Sequence, residues 1–214
     1  MTGTPRRGPF LIGVTGGIAS GKSTVVGMLR DLGAEAIDAD RVYHDLITPG
    51  SPLLVEIGAR FGPGVIAPDG SLDRKALGVI VFADPAALAD LDRITHPAVI
   101  AAIDRLVAAS ESTVVTVDAV KLIESGHAAH CDTVWLVDCP PEQQVDRLVA
   151  TRALDRTEAH RRVMSRVWTD DLARQVDVTI DNGTTLATTR EQVRAAWDAT
   201  VAPRLGGGGE TGRS

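Results

Sequence analysis

A glycine-rich segment near the amino end is the feature that most constrains this chain. Residues 16–23 have the sequence GGIASGKS, which matches the pattern G-x-x-x-x-G-K-[ST] without a gap. An apolar, strand-like segment, Phe10–Val14, comes directly before it, and a helical pattern over Lys22–Leu32 follows. Strand, glycine loop and helix in this order are the context that the pattern requires. The order predicts the start of a three-layer α/β fold.

The residue types in this segment suit the binding of phosphate groups. Glycines let backbone N–H groups approach phosphate oxygens closely, and the start of a helix adds unpaired N–H groups and the positive end of its dipole. In such a loop Lys22 reaches the β- and γ-phosphates, and the Ser23 hydroxyl binds Mg²⁺. A glycine-rich turn that contains GKS by chance is the alternative, which the flanking strand and helix disfavour. The predicted nucleotide site comprises Gly16, Gly17, Ile18, Ala19, Ser20, Gly21, Lys22 and Ser23.

Four further short apolar segments are predicted strands. Several of them lack apolar–polar alternation, which is typical of parallel strands covered on both faces. Helical patterns occupy 140–151, 157–175 and 184–201. With Phe10–Val14 the segments predict a five-stranded parallel sheet, the other strands being Ala34–Ile37, Thr113–Val117, Thr133–Val137 and Val176–Ile180.

The part of the chain between the second and third strands is almost free of strand-like segments. It has five helical patterns, at 41–47, 52–61, 74–82, 85–94 and 97–109. His96 and Pro97 are placed at the start of the last helix, where His96 is a capping or core histidine by default and a substrate contact is the alternative. We predict one domain over 9–204, with core segments 9–39 and 111–204. The helical insertion, 40–110, is expected at the carboxyl edge of the sheet, where ligands bind in open α/β folds. Residues 1–8 are a predicted flexible arm, and 205–214, with four consecutive glycines, a predicted disordered tail.

Carboxylates follow two of the predicted strands. Asp38 ends the second strand and Asp118 ends the third. Because the carboxyl ends of parallel strands share one edge, both are expected to face the phosphate loop, where a carboxylate accepts a proton from an attacking hydroxyl or holds a magnesium-bound water. Asp also favours helix N-caps. We assign the cap of the next helix to Asp40 and the functional role to Asp38; a solvated turn is the alternative for Asp118.

Arginines are concentrated in the segment 147–174. Arginine suits bidentate contact with phosphate and stacking on a purine, and we predict a lid over about 152–175 that closes on the nucleotide and excludes water. An exposed helix with local ion pairs is the alternative for about half of these arginines. Arg147 and Arg152 are the predicted ligand contacts. The seven residues are Arg147, Arg152, Arg156, Arg161, Arg162, Arg166 and Arg174.

Composition excludes several classes of function. The formal net charge is −6, which disfavours a general binder of nucleic acids or anionic membranes. Two cysteines are too few for a disulfide framework. No apolar segment approaches the ~20 residues that span a bilayer. We therefore expect a soluble, cytoplasmic protein with neither a nucleic-acid nor a membrane partner.

Further motifs extend along most of the chain. After LIGVTGGIASGKST at 11–24 come IDAD at 37–40, DGSLDR at 69–74, HP at 96–97 and DVTIDNG at 177–183. Gln144, Arg147 and Arg152 add a Q-x-x-R-L-x-x-x-R run. Together these motifs resemble those of bacterial dephospho-CoA kinases over about 11–203. The glycine loop is shared by many kinases, whereas the DGSLDR and HP elements within a helical insertion are far more specific.

The resemblance implies an activity: ATP-dependent phosphorylation of the ribose 3′-hydroxyl of dephospho-CoA, the last step of coenzyme A synthesis. It implies that Asp38 lies beside that hydroxyl, that Lys22 and Asp38 are the catalytic residues, and that the inserted helices bind the acceptor. Thr24, Arg147 and Asn182 are implied on the nucleotide side. The implied acceptor-binding residues are Asp38, Asp40, Arg74, His96, Asp118 and Arg152.

Two segments depart from the family pattern. Val120 and Lys121 replace the Pro and first Leu of D-x-P-L-L-x-E, and Arg166 stands where the lid often has Gln. They leave two alternatives: a kinase of another small-molecule alcohol or nucleotide, and a catalytically weak nucleotide-binding regulator of the same fold. Neither departure lies in the phosphate loop, so they leave the identity of the acceptor less defined than that of the nucleotide.

Overall fold

The computed structural model describes residues 8–166 and 168–205 of the 214-residue chain. Residues 1–7 of the predicted arm and 206–214 of the predicted tail lie outside the described residues. Within the described part, no helix has both the length and the apolar character that crossing a membrane requires.

A five-stranded parallel sheet forms the frame of the structure, as predicted. Its order is β2-β3-β1-β4-β5. The central strand, β1, pairs in parallel with β3 on one side, Gly13 opposite Val117, and with β4 on the other, Gly16 opposite Val137. The strands are β1 (Phe10–Gly16), β2 (Glu35–Asp38), β3 (Val114–Asp118), β4 (Thr133–Asp138) and β5 (Val178–Asp181).

Helices connect the strands. Short 3₁₀ turns occur at Pro63–Val65 and His127–His130. The α-helices of the described residues are α1 (Lys22–Asp31), α2 (Ala39–Leu46), α3 (Pro52–Phe61), α4 (Arg74–Ala83), α5 (Pro85–Ala109), α6 (Pro141–Arg152), α7 (Arg156–Met164), α8 (Asp170–Ala173), α9 (Leu186–Thr200) and α10 (Ala202–Leu205).

The chain divides into two compact units. The first consists of the described residues up to Ile37 and from Ser110 onward, and it contains the sheet core. Apolar residues of β1 and β4 pack there against α1 and α9, and because this face of each strand is covered by helices, its side chains are apolar. Fully or nearly fully buried members are Ile12, Val14, Val25, Leu29, Trp135, Val137 and Val193.

The second unit, Asp38–Ala109, is helical and has its own apolar cluster. Its helices begin where the sequence supplies caps: Ser51 Oγ accepts from the Leu54 N–H, and Asp73 Oδ1 accepts from the N–H groups of Lys75 and Ala76. The cluster is formed by Ile47, Leu53, Ile57, Val65, Leu77, Val81, Ala87 and Ile94.

Helix α5 is continuous, so the predicted break before Pro97 is wrong. Pro97 lies inside this 25-residue helix, where its ring removes one backbone hydrogen bond. Packing outweighs that loss, because α5 contacts α2, α3 and α4 and buries Ile94 and Ile103 on either side of the proline. His96 is therefore an interior residue of α5, not the residue before a helix start.

The predicted helix 157–175 is also wrong, because the structure divides it. Helix α7 begins after Asp155, whose side chain accepts from the Glu158 N–H at 3.0 Å, and it ends at Met164. Helix α8 is a new start, capped by Thr169 Oγ1, which accepts from the Leu172 N–H. A threonine N-cap competes with helix continuation, since its hydroxyl satisfies a backbone donor that only a helix start leaves open.

Candidate active site

The loop between β1 and α1 is tightly enclosed in the first unit. A Cβ on Gly16 would lie 2.5 Å from the carbonyl oxygen of Val137 and 2.7 Å from Ser20 Oγ. Gly21 has a φ of 93°, and a Cβ there would overlap the side-chain amide of Asn182. Glycine is therefore required at both positions, for space at the first and for space and backbone conformation at the second.

Arg147 and Asn182 hold the outer side of this loop. Arg147 Nη1 donates to the carbonyls of Ala19 and Ser20 at 3.2 and 3.1 Å, and its Nη2 donates to the Asn182 carbonyl at 2.8 Å. The buried Asn182 amide donates to the Ser20 carbonyl at 2.7 Å. Because the carbonyls of Ala19 and Ser20 accept these hydrogen bonds, protein groups restrict the outer side of the loop, which preorganises it for a ligand.

A cleft of about 630 Å³ opens beside the loop. This volume lies in the range of small-molecule sites. It brings together most of the residues predicted for the nucleotide side, and with them Asp118 and Arg152 from the acceptor set. The predicted residues that line it are Gly17, Ala19, Ser20, Gly21, Lys22, Ser23, Thr24, Asp118, Arg147, Arg152 and Asn182.

Lys22 and Asp118 face each other in the cleft. Lys22 Nζ lies 3.8 Å from Asp118 Oδ1, and the two side chains are 14% and 21% exposed. Asp118 is opposite Val14 in the register of β3 and β1, which places it at the edge from which the loop departs. An ion pair of this length and partial exposure is weak, so the ammonium group can exchange the carboxylate for a phosphate oxygen at low cost.

Two predicted loop residues lie outside the cleft lining. Gly16 is the last residue of β1. Ile18 packs, with Ala19 and Leu154, against a buried cluster from α6 and α7. Its role is thus to attach the loop to these two helices. The cluster consists of Val145, Leu148, Ala159 and Val163.

Asp38 and Asp40 belong to the second unit. Asp38 ends β2 and is the N-cap of α2: its Oδ1 accepts from the N–H groups of Asp40 and Arg41 at 2.9 and 3.2 Å. The prediction that Asp40 is the cap is therefore wrong. The helix begins at Ala39, two residues earlier than predicted, so Asp40 falls in its first turn, where a negative charge suits the helix dipole.

Arg74 and His96 also belong to the second unit, on α4 and α5. Arg74 is the first residue of α4. Burial raises the pKa of the Tyr43 hydroxyl, and the positive charge of Arg74 opposes that shift. His96 Nε2 lies 3.3 Å from Asp92 Oδ1, one turn away on α5.

Most arginines of the predicted lid form local, exposed ion pairs. Arg156 bonds to Asp146 and Glu142, both at 2.6 Å. The exposed-helix alternative therefore describes four of the seven arginines. Arg147 and Arg152 line the cleft instead, and Arg166, whose side chain is mostly enclosed, is described below. The other exposed pairs are Arg161 and Arg162 with Glu158, and Arg174 with Asp171.

The Cys139 thiol follows directly after β4 and is buried. Burial raises the pKa of Cys139, Arg147 opposes this shift, and the charges of Asp138 and Asp181 add to it. A thiol with a raised pKa stays protonated at neutral pH and is a poor nucleophile. Cys139 is therefore not a candidate nucleophile of this site.

Comparison with known proteins identifies the family. The family described as dephospho-CoA kinase matches residues 10–188. The chain belongs to the dephospho-CoA kinase family. The resemblance in the motifs is thus confirmed over most of the chain.

Individual relatives support the same family assignment. The chain is 48% identical over 203 residues to the dephospho-CoA kinase of Symbiobacterium thermophilum, covering 94% of this chain and 84% of that protein. It is 44% identical over 191 residues to the dephospho-CoA kinase of Leifsonia xyli, covering 87% and 96%. A crystal structure of TT1252 from Thermus thermophilus matches with a TM-score of 0.78 and 29% identity, over 91% of this chain and 99% of that one.

Four residues of the site were missed by the sequence interpretation or given no role in it. Thr151, Thr184 and Leu186 line the cleft. Gln144 is buried, donates from Nε2 to the Cys139 carbonyl at 2.6 Å, and has its Oε1 next to Gly17. The Q-x-x-R-L run could have indicated Gln144. No motif marks the other three, which reach the cleft because β4 and β5 follow β1 in the sheet.

Proposed function

We propose that this dephospho-CoA kinase family member transfers the γ-phosphoryl group of ATP to the ribose 3′-hydroxyl of dephospho-CoA, the last step of coenzyme A synthesis. The observation that carries the proposal is the lysine-bearing phosphate cleft in a chain that matches this family over residues 10–188. The hydroxyl oxygen attacks the γ-phosphorus, the bond to the β-phosphate oxygen breaks, and ADP leaves.

On the donor side the cleft supplies positive charge and backbone donors. The N–H groups of the loop and of the start of α1 bind phosphate oxygens, and Lys22 leaves Asp118 to pair with the β- and γ-phosphates. Arg147 stabilises the loop through its hydrogen bonds to the Ala19 and Ser20 carbonyls. With Arg152 and Asn182 it also lines the cleft in which the nucleotide would bind. Most of the rate enhancement then comes from positioning and charge stabilisation, since the transition state of phosphoryl transfer is loose.

Magnesium fits the residues of this cleft. Ser23 is exposed in it at the start of α1, and its hydroxyl is the predicted ligand; Asp118 adds a carboxylate to the lining. Mg²⁺ prefers oxygen ligands, few of them from protein and the rest from phosphates and water. When bound with ATP, the ion neutralises charge that develops on the β- and γ-phosphates.

On the acceptor side we assign proton acceptance to Asp38. Both capping bonds to α2 use Oδ1, and we assign Oδ2 to the 3′-hydroxyl proton. The helical unit Asp38–Ala109 is the proposed acceptor-binding insertion of a single kinase domain. Asp40, Arg74, His96, Asp118 and Arg152 remain its proposed acceptor contacts.

The proposed place of action is the cytoplasm. Within the described residues, Cys131 and Cys139 form no disulfide, which suits a reducing compartment. ATP and dephospho-CoA are the proposed partners, with no nucleic acid or membrane involved.

The test is mass-spectrometric detection of coenzyme A from purified protein, Mg-ATP and dephospho-CoA. Lys22→Ala is expected to lower kcat/KM by about a thousandfold or more, since it removes charge stabilisation from the transferred group. Lys75→Ala, which removes an exposed lysine from α4, is the matched control. Absence of coenzyme A with intact ATP binding would overturn the proposal and favour another acceptor or a nucleotide-binding regulator; a panel of alcohols and nucleotides separates these two.

A further inference from the structure

Arg166, which stands where the family lid often has Gln, is one of the most enclosed cations of the first unit. Its side chain is only 15% exposed. Nε donates to Glu124 Oε1 at 3.1 Å, and Nη2 donates to Oε2 at 3.2 Å, which makes the contact bidentate. The indole of Trp168 covers the guanidinium, with Cζ 4.7 Å from the ring centroid. A charge enclosed this far is costly unless its partners stay in place.

The same guanidinium contacts the base of the phosphate loop. Its Nη2 is 3.4 Å from Thr15 Oγ1, and Thr15 directly precedes Gly16. The Thr15 hydroxyl, fully buried, donates in turn to the Val120 carbonyl at 2.9 Å. Arg166 therefore joins three segments: the residues after α7, the end of β1, and the segment after β3 that carries Val120 and Glu124.

These three segments carry the groups that the proposed transfer uses. The end of β1 leads into the phosphate loop, and the segment after β3 begins at Asp118, the partner of Lys22. The residues after α7 belong to the predicted lid, whose helix α7 also packs on the loop through Ile18. The loop is thus attached to the lid at two points, one apolar and one ionic.

We propose that Arg166 is a positioning residue for phosphoryl transfer, which it serves by fixing the end of α7 to Thr15 and Glu124. The proposal rests on the function proposed above. Arg166, Glu124 and Thr15 lie outside the residues that line the cleft, so the role is alignment and not nucleotide contact. Small misplacements of reacting groups reduce the rate far more than they reduce binding. A Gln at 166 would keep a hydrogen bond but lose the charge and the bidentate geometry.

The kinetic signature of this role differs from that of a structural ion pair. Arg166→Gln is expected to lower kcat by about tenfold while the KM for ATP changes by less than about twofold. Glu124→Gln is expected to give the same loss. Because the two residues act as a unit, the double variant should lose no more than either single one. Arg166→Lys, which restores the charge without the bidentate contact, should recover only part of kcat.

The control is Arg174→Gln, the same change at an exposed pair near α8, for which kcat and KM should remain those of the unaltered chain. All assays are run well below the Tm of each variant, so that loss of folded protein does not enter kcat.

The outcomes separate the two proposals. If the unaltered chain forms coenzyme A and Arg166→Gln keeps its full kcat, or loses activity only in proportion to unfolded protein, the positioning role is overturned and the proposed function stands. Additive losses in the double variant would overturn it too. If the unaltered chain forms no coenzyme A, the proposed function fails and the positioning role fails with it.

Discussion

Two strand-end aspartates of this chain are held by different partners. Asp118 faces the ammonium group of Lys22, whereas Asp38 accepts two backbone N–H bonds at the start of α2. The sequence identified both as strand ends correctly. The sequence interpretation assigned the helix cap to Asp40 because it predicted that the helix starts two residues too late along the chain. Helix boundaries are the least certain part of such an interpretation.

The double role of Asp38 makes Asp38→Asn an informative change. Asparagine caps helices as well as aspartate does, so α2 should keep its start while the proton acceptor is lost. We expect kcat to fall by about 10²- to 10⁴-fold, the usual contribution of a general base, with ATP affinity retained. Steady-state kinetics and calorimetric titration with ATP measure the two effects separately.

Asp38→Ala serves as the companion variant. It removes the cap as well as the base, so it should add a loss of stability of about 1 kcal/mol to the same kinetic defect. Near-normal turnover in Asp38→Asn would remove Asp38 from the base role.

At the scale of elements, the strands were predicted well and two helices were not. Short runs rich in valine and isoleucine, such as the one ending at Val117, have few alternatives to a buried strand. Pro97 looked like a helix boundary because a proline disfavours the helical conformation of the residue before it, yet packing along α5 overrides that preference. Thr169 was missed as a cap because the helical spacing continued past it.

The pairing of α3 with α5 supplies a pH-dependent prediction. Asp90 on α5 accepts from Arg93 and from Arg60 of α3, and these hydrogen bonds, with the larger effect from Arg93, lower the pKa of its carboxyl. A lowered pKa in the folded state adds stability above the unfolded-state pKa of about 3.9 and loses it as the pH falls through the folded value. Asp90→Asn should therefore lower Tm at pH 6 to 7, with a difference that shrinks progressively as the pH falls below about 3.9.

Thermal melts of the two proteins across this pH range provide the measurement. Added salt should reduce the Tm difference at neutral pH. The side chains of Arg60, Asp90 and Arg93 are all partly exposed to solvent, so dissolved ions screen their charges. A Tm difference that is constant from pH 3 to pH 7 would contradict the charge-based explanation.

At the scale of the whole molecule, strand order decides which residues meet. The order β2-β3-β1-β4-β5 places β1 between β3, which brings Asp118, and β4, beyond which β5 brings Asn182. The motifs predicted these residues one by one. They could not predict Thr184 and Leu186, since the adjacency of β5 to the loop follows from tertiary pairing and leaves no local pattern.

The division into two units predicts a two-step pattern of protection by ligands. ATP that binds the cleft stabilises the folded state by about 2.7 kcal/mol at a hundredfold excess over its Kd. Hydrogen exchange measured by mass spectrometry should then slow in the phosphate loop, α6 and the segment after β5, with little change in α3 and α4. Adding dephospho-CoA with a non-hydrolysable ATP analogue should extend protection into the unit Asp38–Ala109. In Lys22→Ala, ATP should no longer slow exchange in the phosphate loop. If dephospho-CoA does not slow exchange within Asp38–Ala109, the assignment of this unit as the acceptor-binding insertion is contradicted.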